Sequence, residues 1–281
     1  GHASDRAIIM GLNGYLPKTL AVLNIHHLCR SLTHNKEVEI VAGQRVGCHA
    51  SENIIFDIKE PLPEHPNGMV FQLYDAQGKM QLSETYFSIG GGFIKTLAEI
   101  SELTAPINTQ ALEVCPYPFD SAKMMLSMAA ESNLSIAEMK KQNEVFYLDK
   151  KIKESHQLNK QVDEIWQVMM TCVERGLSAE GTLPGGLNVK RRAKNLYANL
   201  LSKPKQANMN DFLCAYAMAV NEENAAGNLV VTAPTNGAAG VIPAVLYYYI
   251  KNENGSSDCI YDFFHTAGAI GGLIKHRSSI S

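Results

Sequence analysis

The sequence has no long hydrophobic run. Its longest apolar stretches, such as Val241 to Ile250, fall well short of the roughly 20 residues that a membrane-spanning helix needs. It also lacks an excess of positive charge. Lys+Arg is 25 against Asp+Glu 28, a net charge of −3 with pI near 6.3. Nucleic-acid and membrane-surface binding therefore find no support in the charge balance. Six cysteines stand at 29, 48, 115, 172, 214 and 259, no two closer than 19 residues. Without a C-x-x-C pair there is no zinc ribbon or local cluster motif to read. Asp5 and Arg6 interrupt any opening apolar run, so no signal peptide is expected. Together these absences predict reduced thiols in a cytoplasmic protein, each cysteine acting as a small buried hydrophobe.

What is present is an ordinary globular composition: 281 residues, 46% apolar and 19% charged. That excludes a wholly disordered chain, and the length suggests about two domains. The first ninety-odd residues mix signals. Asp5 to Leu12 reads as a helix with Asp5 as N-cap, followed by Gly14 and Pro17 as breakers. Four short segments read as strands: Glu37 to Val41, Asn53 to Ile58, Met69 to Tyr74 and Ser83 to Ile89. They are rich in β-branched and aromatic residues, and turn residues such as Pro66-Asn67-Gly68 and Asp75 to Gly78 separate them.

After residue 120 the period changes. Ser135 to Glu138 is a capping box. Leu158, Val162, Ile165, Trp166, Met169, Cys172 and Val173 form one helix face, with Gly176 as the expected stop. Phe212 to Val220 repeats the pattern and ends near Gly227. Val241 to Ile250 reads as a buried helix closed by Asn254-Gly255. Phe263 to Ile274 carries Gly268, Ala269, Gly271 and Gly272, small residues that would let another backbone approach. The fold class predicted is α+β: a small mixed α/β domain over 1–95, a linker over 96–120 and an all-α domain over 121–281.

The segment most suggestive of chemistry is Val230 to Gly240, an extended apolar entry followed by Pro234, Thr235, Asn236, Gly237 and small residues. Thr235 and Asn236 are suitable N-caps, and Gly237 relieves a tight turn. The first-turn N–H groups of the helix would suit a substrate carboxylate; a plain capped helix start fits equally. Upstream, Glu222-Glu223 could be an acid–base pair, but the solvated end of a helix is the simpler reading. The cations Lys190, Arg191, Arg192 and Lys194 read likewise as a solvated face. Gly90-Gly91-Gly92 with Lys95 invites comparison with a pyridoxal-phosphate site, yet one loop would have to hold both phosphate and Schiff base. A strand end with a flexible exit is preferred there. His65-Pro66-Asn67-Gly68 reads as a surface turn, and His265 as a packed helix residue. The other histidines form no partner pattern.

Several long segments closely resemble the bacterial iron–sulfur-dependent L-serine dehydratases: DRAIIMGLNG (5–14), LPEHPNGM (62–69), TYFSIGGGFI (85–94), QNE (142–144), EGTLPGGLNVKRRA (180–193), VNEENAAGNLVVTAPTNGAAGVIP (220–243) and AGAIGGLIKHRSSIS (267–281). The resemblance runs through essentially the whole chain. It implies a small α/β domain joined to an all-α catalytic domain, and a [4Fe–4S] cluster with no pyridoxal phosphate. One iron without a protein ligand would act as Lewis acid on the serine hydroxyl. Removal of the α-proton and loss of hydroxide give aminoacrylate, which becomes pyruvate and ammonia. The resemblance further implies L-serine as the small-molecule substrate, a cytoplasmic homodimer, and no nucleic-acid or membrane partner.

Carried over by position, Thr235, Asn236, Gly237 and Ala238 would line the serine pocket and hold its carboxylate. Lys275, Ser279 and Ser281 would lie near the cluster. His65, Asn67 and Gly68 would face the catalytic domain or an effector serine. The chain starts after the family's Ser-Ser-Ser-His-Thr segment and stops before the cluster cysteines. The expectation is therefore an internal piece of the enzyme, with no cluster ligand and no nameable general base of its own, inactive alone. Two rivals remain: a non-catalytic serine-binding or dimerisation module, and a pyridoxal-phosphate dehydratase.

Overall fold

In a computed structural model, residues 4–17, 20, 25–41, 43–57, 60–89, 93–103, 115–148, 155–232 and 236–277 are described. The chain divides into two compact units, Gly1–Pro61 and Leu62–Ser281. The α+β class holds: short antiparallel sheets come first and a mostly helical region follows.

The first unit contains α1 (Ser4–Leu12), α2 (Ile25–His34), the hairpin strands β1 (Glu37–Val41) and β2 (Gln44–Gly47), and the one-turn α3 (Ala50–Asn53). Helix α1 packs on α2 and β1, with Ile9, Cys29, Leu32 and Val38 buried. Asp5 lies in the first turn of α1 rather than preceding it. The strand expected over 53–58 does not form. Asn53 closes a helical turn whose His49 N–H it accepts at 2.7 Å. Ile54 to Asp57 make no ladder, and Ile55 and Phe56 stay exposed. Apolar alternation is not sufficient for a strand; it needs a neighbour to take its N–H and C=O groups.

The second unit opens with β3 (Gly68–Tyr74), β4 (Met80–Ser88) and β5 (Ile94–Thr96), ordered β3-β4-β5 and antiparallel throughout. Asp75 accepts the backbone N–H of Gln77 and Lys79 at 3.0 and 2.9 Å, which closes the β3–β4 turn. Those bonds hold its carboxyl below the usual range. Helix α4 (Leu97–Leu103) packs on β4 and β5.

Seven longer helices follow among the described residues: α5 (Ala122–Ser132), α6 (Ile136–Tyr147), α7 (Ser155–Ser178), α8 (Ala193–Ser202), α9 (Met209–Ala225), α10 (Val241–Asn252) and α11 (Asp258–Arg277). The Ser135–Glu138 capping box starts α6 as read, and a second box, Asn208 with Asp211, starts α9. Helix α9 is central, packing on α7, α8 and α10. The core there gathers Val162, Trp166, Met169 and Val173 of α7 with Tyr216, Ala219 and Val220 of α9 and Leu246 and Tyr247 of α10. Helix α11 packs mainly on α6 around Met125, Met139 and Ala269. Asn143 anchors the segment entering this part by bonding both N and O of Tyr117, at 2.9 and 2.7 Å.

Two glycine readings change. Gly176 does not end α7, which continues to Ser178. It is where α7 meets α9, and a Cβ there would collide with the Ala219 backbone carbonyl. Conversely, Gly268, Gly271 and Gly272 face no backbone among the described residues: a Cβ would meet there only Lys140 Cε, at 3.9 Å from Gly268. Helix α10 is amphipathic rather than buried all round, since Val241 and Val245 are exposed.

Gly176→Ala is expected to lower stability by about 1–3 kcal/mol through overpacking, although an unhindered helix interior would gain about 1 kcal/mol; urea unfolding at constant m-value measures it.

His265 is 5% exposed, and its Nε2 has no hydrogen-bond partner among the described residues. Burial pushes its pKa below 6.5; Lys141 and Lys140 on α6 act in the same sense, and Glu144 and Asp262 oppose them. With the folded value depressed, the unfolded chain binds the extra proton first. Stability should be full above pH about 6.5 and fall as pH drops through and below it. In His265→Phe this acid-side loss should shrink, as melting temperatures between neutral and mildly acid pH will register.

Candidate active site

The two carboxylates at the carboxyl end of α9 are not solvated. Glu222 is 5% exposed and Glu223 0%, which overturns the reading of this pair as a helix end in water. Val220 packs in the core one turn of chain before them, and the helix carries the two carboxylates inward with it. Unpaired, they would be far too costly to bury, so each has found donors.

Glu222 accepts the backbone N–H of Arg192 at 2.6 Å and of Ala193 at 3.2 Å. Those groups open α8, whose N-cap Arg192 makes no side-chain cap of its own. A carboxylate from another helix thus caps α8 and complements its dipole. Glu223 is bonded by Arg175 Nε, by Arg191 Nη1 at 2.8 Å and by Asn228 Nδ2 at 2.9 Å. Arg175 also donates to the Leu229 carbonyl at 3.1 Å. One buried anion therefore ties together α7, the loop before α8 and the segment that leaves α9.

The cations of 190–194 are accordingly not one solvated face. The Arg191 side chain is only 9% exposed against Glu223, while Lys194 pairs with Glu180 at the surface. The loop between closes on itself through Leu183 N–H to Val189 O at 2.7 Å and Arg191 N–H to Gly181 O at 2.9 Å. A cavity of about 400 Å³ opens between it and α9, lined by Leu183, Val189, Arg192, Met218, Asn221 and Glu222 among others.

The Val230–Gly240 segment is described up to Thr232 and again from Asn236; Thr235 lies outside the described residues. Asn236 to Ala238 form a 3-10 turn, so α10 begins later than expected. Its N-cap is Gly240, without a side-chain cap bond, so Asn236 does not cap it. The turn is held from α9 at both ends. Asn236 Nδ2 donates to Asn224 Oδ1 at 2.9 Å. Gly240 rests on α9 so closely that a Cβ would stand 2.6 Å from Ala217 O. Gly237 has no left-handed φ, and a Cβ there meets nothing within 4 Å. It leaves open space instead of relieving a turn. Asn236, Gly237 and Ala238 are all exposed.

Lys275 falls in α11 with its side chain outside the described residues, and Ser279 and Ser281 lie outside them altogether. In the sheet region, His65 Nδ1 accepts the Asn67 N–H at 3.2 Å and its ring stands edge-on to Phe87 at 6.4 Å. A Cβ on Gly68 would strike the Leu62 side chain. The His65 ring is thus half-buried, part of a packed turn.

The six cysteines are free: Cys29 and Cys172 buried, Cys48 and Cys115 half-buried, Cys214 and Cys259 exposed. The buried-hydrophobe reading holds for the first two. For Cys172 burial lifts the thiol pKa to about 11, so it stays protonated and inert. Among the described residues no three His, Cys, Asp or Glu side chains converge to hold a metal. They do not fit an iron–sulfur cluster, which needs several thiolates on one centre.

The serine dehydratase alpha-chain family model matches residues 126–281, and the serine dehydratase beta-chain model matches residues 1–99. The chain belongs to the serine dehydratase family. It is 42% identical over 287 residues to "L-serine dehydratase TdcG" of Escherichia coli, with all of this chain and 61% of that protein covered. It is 38% identical over 283 residues to the L-serine dehydratase of Streptomyces coelicolor, covering 60% of it, and 37% identical to that of Haemophilus influenzae, covering 61%. The chain thus spans about three fifths of the length of these relatives. Both the Glu222–Asn224 run and the Asn236 turn fall inside the alpha-chain match.

The sequence did hold a signal for the site's support: two consecutive carboxylates directly after an apolar helix face, and a run of arginines thirty residues upstream. It did not say that they pair. Replacing Glu223 by Ala leaves Arg191 buried without its anion and should cost about 3–5 kcal/mol. Arg175→Ala should cost clearly less, because that side chain is 40% exposed and its loss leaves Glu223 two donors. Denaturant unfolding of the two variants gives the order.

Proposed function

We propose that this chain carries the substrate-holding part of an L-serine dehydratase, which converts L-serine through aminoacrylate to pyruvate and ammonia. The observation that carries the reading is the Asn236 turn, within the alpha-chain match, with open space beside Gly237 and an exposed carboxamide fixed from α9. Thr235, Asn236, Gly237 and Ala238 hold the serine. Lys275, Ser279 and Ser281 would lie toward a [4Fe–4S] cluster whose ligands are not in this chain; when bound, it would supply Lewis-acid help to a departing hydroxide. His65, Asn67 and Gly68 belong to an interdomain or effector loop. The acting protein is a cytoplasmic homodimer that needs no pyridoxal phosphate, with the sheet-bearing domain over 1–95 and the helical domain over 121–281.

The alternative reading is a serine-binding or dimerisation module that does not turn serine over by itself.

Calorimetric titration of the chain with L-serine should give saturable heat, and Asn236→Ala should weaken binding about tenfold, the value of one good hydrogen bond to a charged group. An unchanged affinity in that variant would remove Asn236 from the site. Anaerobic incubation of the chain with ferrous iron and sulfide, followed by a pyruvate assay, should give no pyruvate, because the proposed cluster ligands lie outside this chain; sustained pyruvate formation would overturn that.

A further inference from the structure

Asn224 is the last polar residue of α9, and its Oδ1 accepts the Asn236 Nδ2 hydrogen bond at 2.9 Å. A carboxamide carries its acceptor oxygen and its donor nitrogen on opposite sides of one carbon. Drawing Nδ2 toward Asn224 turns Oδ1 of Asn236 away from α9. That oxygen can accept only, so it matches a substrate ammonium and cannot bond a carboxylate. Asn224 has little freedom to let go. Its neighbour Glu223 is fully buried and bonded to Arg175, Arg191 and Asn228, and Arg175 also holds the Leu229 carbonyl. The far side of the turn is seated on α9 through Gly240.

We infer that Asn224 is a positioning residue that fixes the amide of Asn236 with its oxygen presented to the α-ammonium of the substrate. This rests on the serine-holding reading and refines it: Oδ1 of Asn236 reads the amine, which leaves the carboxylate to N–H donors, the second N–H of Nδ2 among them.

The test compares two ligands on the 281-residue protein by calorimetry, L-serine and 3-hydroxypropionate, which keeps the carboxylate and hydroxyl but has no amine. Asn224→Ala should weaken L-serine about tenfold, the loss of one charge-assisted bond, and leave 3-hydroxypropionate within about twofold. Asn224→Asp, an acceptor of the same shape, should restore L-serine binding. Equal weakening of both ligands, weakening of neither, or no rescue by Asp overturns the inference. If the wild-type protein takes up no L-serine, the serine reading fails on its own. The side-chain amide signals of Asn236 in a nitrogen-15 spectrum of the ligand-free protein then decide the positioning role. A shift in Asn224→Ala supports it; unmoved signals overturn it.

Discussion

The buried carboxylate of Glu223 is the constraint on which the helical region depends. An ion with no exposed surface is tolerable only when its lone pairs are filled, and here two guanidinium groups and a carboxamide fill them. Those donors come from three separate stretches of chain, so satisfying one anion fixes where α7 ends, where the loop before α8 returns and how the chain leaves α9. Buried pairs of this kind are weak contributors to net stability compared with apolar packing. Their effect is geometric, because any displacement of one segment strands a charge.

Packing and polarity reinforce one another around that point. Gly176 lets α7 lie against the backbone of α9 at Ala219, and Gly240 does the same for the start of α10 at Ala217. Close backbone approach brings Arg175, one residue before Gly176, to Glu223. Tyr216 and Tyr247 stack edge to face at 4.8 Å in the same core, and burial drives both hydroxyls well above their ordinary pKa. Charges placed in such an interior need specific partners.

Local signals in the sequence translated well where a segment's own neighbours decide its state. The Ser135–Glu138 box, the 3.6-residue stripe from Leu158 to Val173 and the turns bounding Met69 to Ser88 are all such cases. The misreadings share a different cause. Asn53 to Ile58 alternates like a strand, but through Asp57 its described part joins no sheet. Gly176 looks like a stop, but the helix around it continues because the contact with α9 requires a residue without a side chain. Glu222 and Glu223 look solvated, since two charges at a helix end usually are. Only long-range pairing with residues 30 to 50 positions away reverses that.

The sequence by itself determined the α+β class, the helix periods, the Ser135–Glu138 capping box and the family, because these rest on spacing and on contiguous motifs. It also placed Thr235 to Ala238 as the segment to watch. Tertiary structure decided what its described part, Asn236 to Ala238, is: a 3-10 turn held from α9 by Asn224 and Gly240, not a capped helix start. The reason is physical. Hydrogen-bond partners and desolvation are set by what comes close in space, and a polar residue's role is read from its neighbours, which a linear pattern does not contain.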